Sequence, residues 1–495
     1  MTRYGPTPTP ITVAIASGTL RGYDIDGVQR FLGVPYAAPP LGPARFAPPA
    51  PVRPWPGVRE ATAYGPTAPQ PRRDVFGSLD MSPYFGPGWV PGSDYLTLNV
   101  WAPAAPAPGG GLPVMVFVHG GGFVAGSARA PLYDGTGFAR GGVVLVTVAY
   151  RLGLAGFLDL PGAPPNRGLL DVVAALRWVR RDVAAFGGDP DNVTLFGQSA
   201  GATLVAALLA APAAAGLFRR AIVQSGNGLG AHTPEQAARV TRAAADALGV
   251  APTVAGFATL PDERLVAALS QLAGLDLRTA TARDPLLGLG PLSPVLAEQP
   301  AETLARRAAR ADVALLVGTT TEEGNLYVAP RGETVTAARA ELAATAALAH
   351  ADPAAHLAAV RARDPGAGPG ALRAAILGEA LFARGSRRLA QAHAGHARAA
   401  TYAYTFGWRS PALAGALGAA HTVELPFVFA RTDLPALRGP HALLGPGEPP
   451  RALAARVHGA WVAFARGGDP GWAPYTPRGR HAEPLGHRGD VDAAW

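Results

Sequence analysis

Between Thr97 and Phe218 the chain alternates short, uninterrupted apolar runs with helical stretches, and few folds accept that pattern. Thr97–Trp101, Pro113–Val118, Val143–Ala149 and Asn192–Phe196 are rich in Val, Leu and Phe and are bounded by Gly or Pro. Runs without polar alternation suit strands buried on both faces. Leu169–Ala185 has helical spacing and stops at Phe186-Gly187-Gly188-Asp189-Pro190, while Ala200 opens a long Ala/Leu helix. Strands that alternate with helices predict an α/β protein with a mainly parallel central sheet.

Further along, Val313–Gly318 and Thr401–Phe406 read as additional strands, and Ala452–Arg466 as a closing amphipathic helix. Two Ala-rich helical insertions are expected at about 233–310 and 334–395. No internal repeat or linker-like break in composition divides the chain, so residues 1–495 read as one domain.

Composition narrows the function. With 48% hydrophobic and 16% charged residues, a disordered chain is excluded. The net charge of +8 is carried by Arg alone, since the chain has no Lys. A basic chain raises nucleic acid or membrane as partners. Here the Arg doublets, such as Arg72-Arg73, Arg180-Arg181 and Arg306-Arg307, lie far apart and form no basic run. GC-rich codon bias explains the Arg and Ala excess better, so neither nucleic acid nor membrane is expected. Cysteine is absent, which excludes disulfides, cysteine–zinc sites and thiol nucleophiles. Met1–Pro10 is polar and does not read as a leader, and Pro212 interrupts the apolar stretch Ala202–Phe218. A soluble cytoplasmic protein is the expectation.

The chemistry gathers at two glycine-rich turns, each following an apolar strand. Gly197-Gln198-Ser199-Ala200-Gly201 matches the G-x-S-x-G turn in which small flanking residues let the backbone fold tightly and expose a serine hydroxyl. The helix after that turn points its N-terminal N–H groups at a developing oxyanion. His119-Gly120-Gly121-Gly122 matches the HGGG-type turn whose backbone N–H groups supply further oxyanion donors. A serine nucleophile needs a base and an orienting carboxylate, in the order Ser, acid, His. Nine of the eleven His residues follow Arg310: His350, His356, His393, His396, His421, His441, His458, His481 and His487. Order alone does not choose among them, although His421 stands out in a loop past the strand Thr401–Phe406. Glu322 and Glu323 follow the strand Val313–Gly318, at the edge of the sheet where such sites are built.

At this point the sequence resembles the type-B carboxylesterase family, which includes para-nitrobenzyl esterases and cholinesterases. The likeness runs nearly end to end: Arg30–Ala37, Leu96–Trp101, Tyr150–Gly153, Phe186–Pro190, Val193–Gly201, Gln224–Gly226 and Trp461–Ala465 all match in order. The resemblance implies the α/β-hydrolase fold. It also implies a triad of Ser199, Glu323 and His421, with Glu323 chosen because the family's acid precedes a glycine. Oxyanion donors carry over as the N–H groups of Gly121, Gly122 and Ala200, with Ser225 and Gln198 behind the triad.

Four positions depart from the family pattern. Gln198 replaces the usual Glu, which disfavours a cationic substrate. Ala68 and Tyr95 occupy the positions of two family cysteines, so the Pro/Gly-rich loop between them is expected to move freely. Ser93 replaces the acid expected to pair with Arg45, leaving Asp94 as a candidate partner. The expected function is a serine carboxylesterase acting on a small-molecule ester in an uncharged acyl-transfer site with no metal or cofactor, as a monomer or homodimer. An amidase, carbamate hydrolase or lipase on the same triad is the alternative, and a non-catalytic binding module of this fold is a third reading. Rate is expected to rise with pH as His421 loses its proton.

Overall fold

The computed structural model describes residues 7–104, 111–306, 312–332 and 335–486. His487, Arg307 and Thr334 therefore lie outside the described residues, as do the first six residues of the polar N-terminus.

The six predicted strands all fall within a 12-stranded sheet. Its strands are β1 (Thr9–Ile15), β2 (Gly18–Ile25), β3 (Val28–Pro35), β4 (Thr97–Pro103), β5 (Leu112–Val118) and β6 (Val144–Val148). They continue with β7 (Gly188–Gln198), β8 (Arg220–Gln224), β9 (Ala314–Thr320), β10 (Thr401–Phe406) and β11 (Glu483–Leu485). The short strand Val58–Glu60 pairs beside β2. The spatial order is β1-β2-β3-β4-β6-β5-β7-β8-β9-β10-β11. Pairings from β1 to β6 are antiparallel, and from β6 onwards every pairing is parallel. This split reflects the connections: hairpin-length turns join β1, β2 and β3, whereas the parallel strands need crossovers. Every residue of β6, β8 and β10 is buried, which is why these segments lack polar alternation.

Helices cover the sheet on both faces. Helix α1 (Arg167–Asp182) and helix α2 (Ala200–Ala210) arise from the predicted periodic stretches. Helix α2 is buried along nearly its whole length and ends just before Pro212, so its hydrophobicity reflects the core. Among the described residues no helix is long and apolar enough to cross a membrane. The closing helix α3 (Arg451–Gly467) packs Trp461 against the sheet, its indole N–H donating to Gln224 Oε1 at 3.2 Å.

The first insertion differs from its expectation. It is helical at Pro234–Leu248, Val254–Ala258, Asp262–Gln271 and Pro300–Arg306, but Leu272–Gln299 forms no helix. Pro285, Pro291 and Pro294 remove helical donors there, and the segment instead walls the cavity onto which Ser199 opens. The second insertion is helical as expected, through Val335–Ala349, Pro353–Arg363, Pro369–Gly378 and Arg384–His396. One π-turn, Glu379–Ala383, interrupts it.

Several arginines are structural. Arg151 is fully buried and bidentate to Asp171, at 2.7 and 2.9 Å, and also donates to the carbonyls of Arg45 and Ala47. Arg45 does not pair with Asp94. It reaches Asp262 at 3.3 Å and donates to Leu260 O, while Asp94 is taken by Arg59. The helix Asp262–Gln271 brings its first-turn acid against the turn that carries Arg45, a long-range contact that sequence neighbourhood does not reveal.

The loop expected to move freely is tethered instead. Ala68 and Tyr95 are both buried. Beside Ala68, Thr67 donates to Gly88 O and accepts the Val90 N–H, each at 2.8 Å. Gln70 exchanges two hydrogen bonds with the backbone of Gly126, at 3.0 and 2.8 Å. Hydrogen bonds thus hold positions that a disulfide would otherwise constrain.

Candidate active site

Ser199 sits between β7 and α2 with φ 58° and ψ −126°, a conformation that costs a non-glycine residue energy. The turn closes because its flanks have no side chains in the way. A Cβ on Gly201 would lie 2.1 Å from Val118 O, in the neighbouring strand β5. The Ser199 N–H donates to Gln224 O at 3.0 Å, and its carbonyl accepts from Thr203 in the first turn of α2. Backbone strain is therefore held by the strands on either side, and the hydroxyl is presented to a cavity.

The glycine turn after β5 faces the same point. Gly121 and Gly122 have φ of 118° and 65°, and both line the cavity with Ser199 and Ala200. Among the described residues no backbone acceptor takes the N–H groups of Gly121, Gly122 or Ala200. Three such donors beside one serine are placed to receive the oxygen of a carbonyl group.

Glu323 and His421 arrive from loops after β9 and β10. His421 Nδ1 lies 2.6 Å from Glu323 Oε2, and both side chains are buried. Glu323 Oε1 accepts from Ser225 Oγ at 2.5 Å and from the Thr320 N–H at 2.7 Å. The buried carboxylate thus meets three donors, which fixes its orientation. With Nδ1 donating to Glu323, Nε2 of His421 is the acceptor. Phe382, delivered by the π-turn, stacks on the imidazole with ring centroids 4.1 Å apart. Glu322 turns away: it accepts from the Ala419 N–H at 2.9 Å and pairs with Arg409.

Gln198 meets the imidazole at its Nε2 edge. Tyr84 OH donates to Gln198 Oε1 at 2.8 Å, which leaves the Gln198 amide nitrogen to donate to His421 Nε2 at 3.3 Å. Among the described side chains no hydrogen bond joins Ser199 to His421. The other histidines stand elsewhere. His393 bonds Thr401 and Val313 O, His458 bonds Val428 O, and His350 stacks on His356 at the surface. Burial pushes His393 down to about 4, as it does His119 and His232.

The cavity measures about 470 Å³, within the range of small-molecule sites. Its walls are largely apolar, with Phe76, Phe85, Leu269, Leu289, Leu326 and Leu381. Arg72, Arg73 and Arg331 also line it, and none of its described lining residues is Asp or Glu. The expectation of an uncharged surrounding is therefore corrected: the cavity is cationic.

Sequence reasoning misses four residues here. Tyr84, Phe382 and Arg73 come from segments with no motif. Glu424 carries a signal, a carboxylate within an apolar run, but no role attaches to it from sequence. It is buried, and among the described residues neither carboxylate oxygen meets a donor at full hydrogen-bond geometry, although the Gln224 side chain lies close. Burial, and then the nearby Glu323 carboxylate, push the Glu424 carboxyl up to about 8.

The model of the "Carboxylesterase family" matches residues 9–482. The para-nitrobenzyl esterase of Bacillus subtilis (strain 168) is 36% identical over 92% of this chain and 89% of that protein. The phenmedipham hydrolase of Pseudarthrobacter oxydans is 38% identical over the same shares. Among solved structures, a PNB esterase superposes with a TM-score of 0.79 at 34% identity, over 96% of both chains. The carboxylesterase EST55 of Geobacillus stearothermophilus gives 0.81 at 35% identity, over 98% of this chain and 99% of that one.

Proposed function

Because this chain belongs to the carboxylesterase family, and is a serine hydrolase of carboxylic esters with the α/β-hydrolase fold, we propose that Ser199, His421 and Glu323 are its catalytic triad. One observation carries the assignment. His421 Nδ1 is 2.6 Å from the buried Glu323 carboxylate, on the cavity where Ser199 is held in a strained turn.

In this reading Ser199 Oγ attacks the ester carbonyl and His421 Nε2 takes its proton. Glu323 holds the Nδ1–H tautomer and stabilises the imidazolium that forms. The contact from Gln198 to Nε2 is long, so Ser199 takes its place once substrate seats. The N–H groups of Gly121, Gly122 and Ala200 receive the oxyanion, each contributing about 3 kcal/mol to the transition state. His421 then protonates the departing alkoxide. Water, activated by the same imidazole, releases the acid from Ser199. Ser225 steadies the carboxylate, and Gln198, held by Tyr84, occupies Nε2 until Ser199 engages it.

Carbamate cleavage on the same triad is the second reading, favoured by the likeness to a protein named phenmedipham hydrolase. We further take the chain to act as one catalytic domain, a monomer or homodimer, in the cytoplasm. Light scattering and cell fractionation test those last points. The decisive experiment is Ser199→Ala. It should abolish turnover of 4-nitrophenyl butyrate and labelling by a fluorophosphonate while the melting profile is retained. Near-full activity in that variant would falsify the assignment.

A further inference from the structure

The cavity above Ser199 carries charge of one sign. Of its three arginines, Arg72 is neutralised by Asp74 at 2.5 Å, and Arg331 is exposed to solvent. Arg73 differs from both. It is partly buried beside Tyr84 and Tyr327, and among the described residues no Asp or Glu lies within ion-pair distance of it. Both tyrosines have pKa values raised by burial, so they stay neutral and supply no counter-charge. Arg73 Nη1 lies 3.8 Å from where a Cβ on Gly122 would stand, so the guanidinium borders the oxyanion hole.

A guanidinium keeps its charge in proteins, and burying it without an anion is costly unless something repays the loss. The apolar walls around it, including Phe76, Phe85 and Phe382, make an ion pair formed there stronger than one in water. Gln198, in the place of a family Glu, removes a negative charge that would repel an incoming anion. We propose that Arg73 is a specificity-determining residue that binds a carboxylate on the substrate, so that the preferred substrates are esters carrying a second, ionised carboxyl group. This deepens the triad reading and rests on it. Planar guanidinium and carboxylate groups meet through two parallel N–H···O bonds, which adds orientation to affinity.

The test uses two matched pairs of esters, because the carboxylate can sit on either side of the scissile bond. Mono-4-nitrophenyl glutarate is compared with 4-nitrophenyl pentanoate for the acyl side. For the alcohol side, 4-carboxyphenyl butyrate is compared with 4-carbamoylphenyl butyrate. In at least one pair the wild type should favour the carboxylate member by about tenfold or more in kcat/KM, the yield of a charge-assisted hydrogen bond. Arg73→Met should erase that preference through a raised KM for the carboxylate ester, and Arg73→Lys should keep part of it. No preference in either pair, or a preference that survives Arg73→Met, overturns the proposal. So does an equal loss on both members of a pair, which would make Arg73 an aid to the oxyanion or the fold. Ser199→Ala should silence all four esters; activity there would sink the triad reading instead, so the two failures are distinct.

Discussion

Glu323→Gln removes one negative charge and almost no volume, and the three donors around the carboxylate decide how a glutamine must sit. Oε1 faces the Thr320 N–H and the Ser225 hydroxyl, whereas Oε2 faces His421 Nδ1. The amide nitrogen of a glutamine cannot sit where Oε1 was, because the Thr320 N–H would then point at another donor. It must face His421 Nδ1. The imidazole then accepts at Nδ1 and carries its proton on Nε2, where the Ser199 proton has to go. Loss of the base tautomer in a serine triad lowers kcat by about 10⁴, or about 5.5 kcal/mol at 1.36 kcal/mol per decade. Glu322→Gln is the control. Its partners are the Ala419 N–H and Arg409, the latter 59% exposed, so the pair is worth about 0–1 kcal/mol and lies off the reaction path. Turnover of 4-nitrophenyl butyrate, normalised to the concentration of folded protein, should fall about 10⁴-fold in the first variant and stay within about threefold in the second. If Glu323→Gln kept more than about a tenth of wild-type kcat, or if both variants lost the same amount, the tautomer argument would be refuted.

Arg151→Met strands Asp171 as an uncompensated buried charge and should cost about 3–5 kcal/mol in urea unfolding. Adding Asp171→Leu should recover much of that loss, and no recovery would show that the pair is not the cause. The Glu424 carboxyl has a folded pKa of about 8 against 4.5 in the unfolded chain, so the stability linked to its proton is full below about pH 4.5 and is lost as pH rises through 8. The stability difference between wild type and Glu424→Gln should therefore shift against the wild type between about pH 4.5 and 8, by at most about 1.4 kcal/mol per pH unit. A difference that does not change with pH would count against the buried carboxyl.

The sheet and the nucleophile turn were legible because both obey local rules. Uninterrupted apolar runs betray parallel strands, and glycines flanking Ser199 betray a turn in which a Cβ would strike the neighbouring strand. Likeness to a family resolved what order could not, choosing His421 and Glu323 from several candidates. Leu272–Gln299 reads as helical when its Ala/Leu spacing outweighs its prolines, although the fold needs the segment as a cavity wall.

The sequence by itself determined the class of fold and the two glycine-rich turns at Ser199 and Gly121, since each is built from residues adjacent in the chain. Only the tertiary structure decided what depends on residues far apart. It turned Glu322 out to Arg409, gave Arg45 to Asp262 in place of Asp94, and tethered a loop that lacks its staple. It also set Arg73 against Gly122 in a cavity whose described lining holds no carboxylate. A charge is worth little in a list of residues. Its effect depends on burial and on its nearest counter-charge, and both are fixed only when the chain has folded.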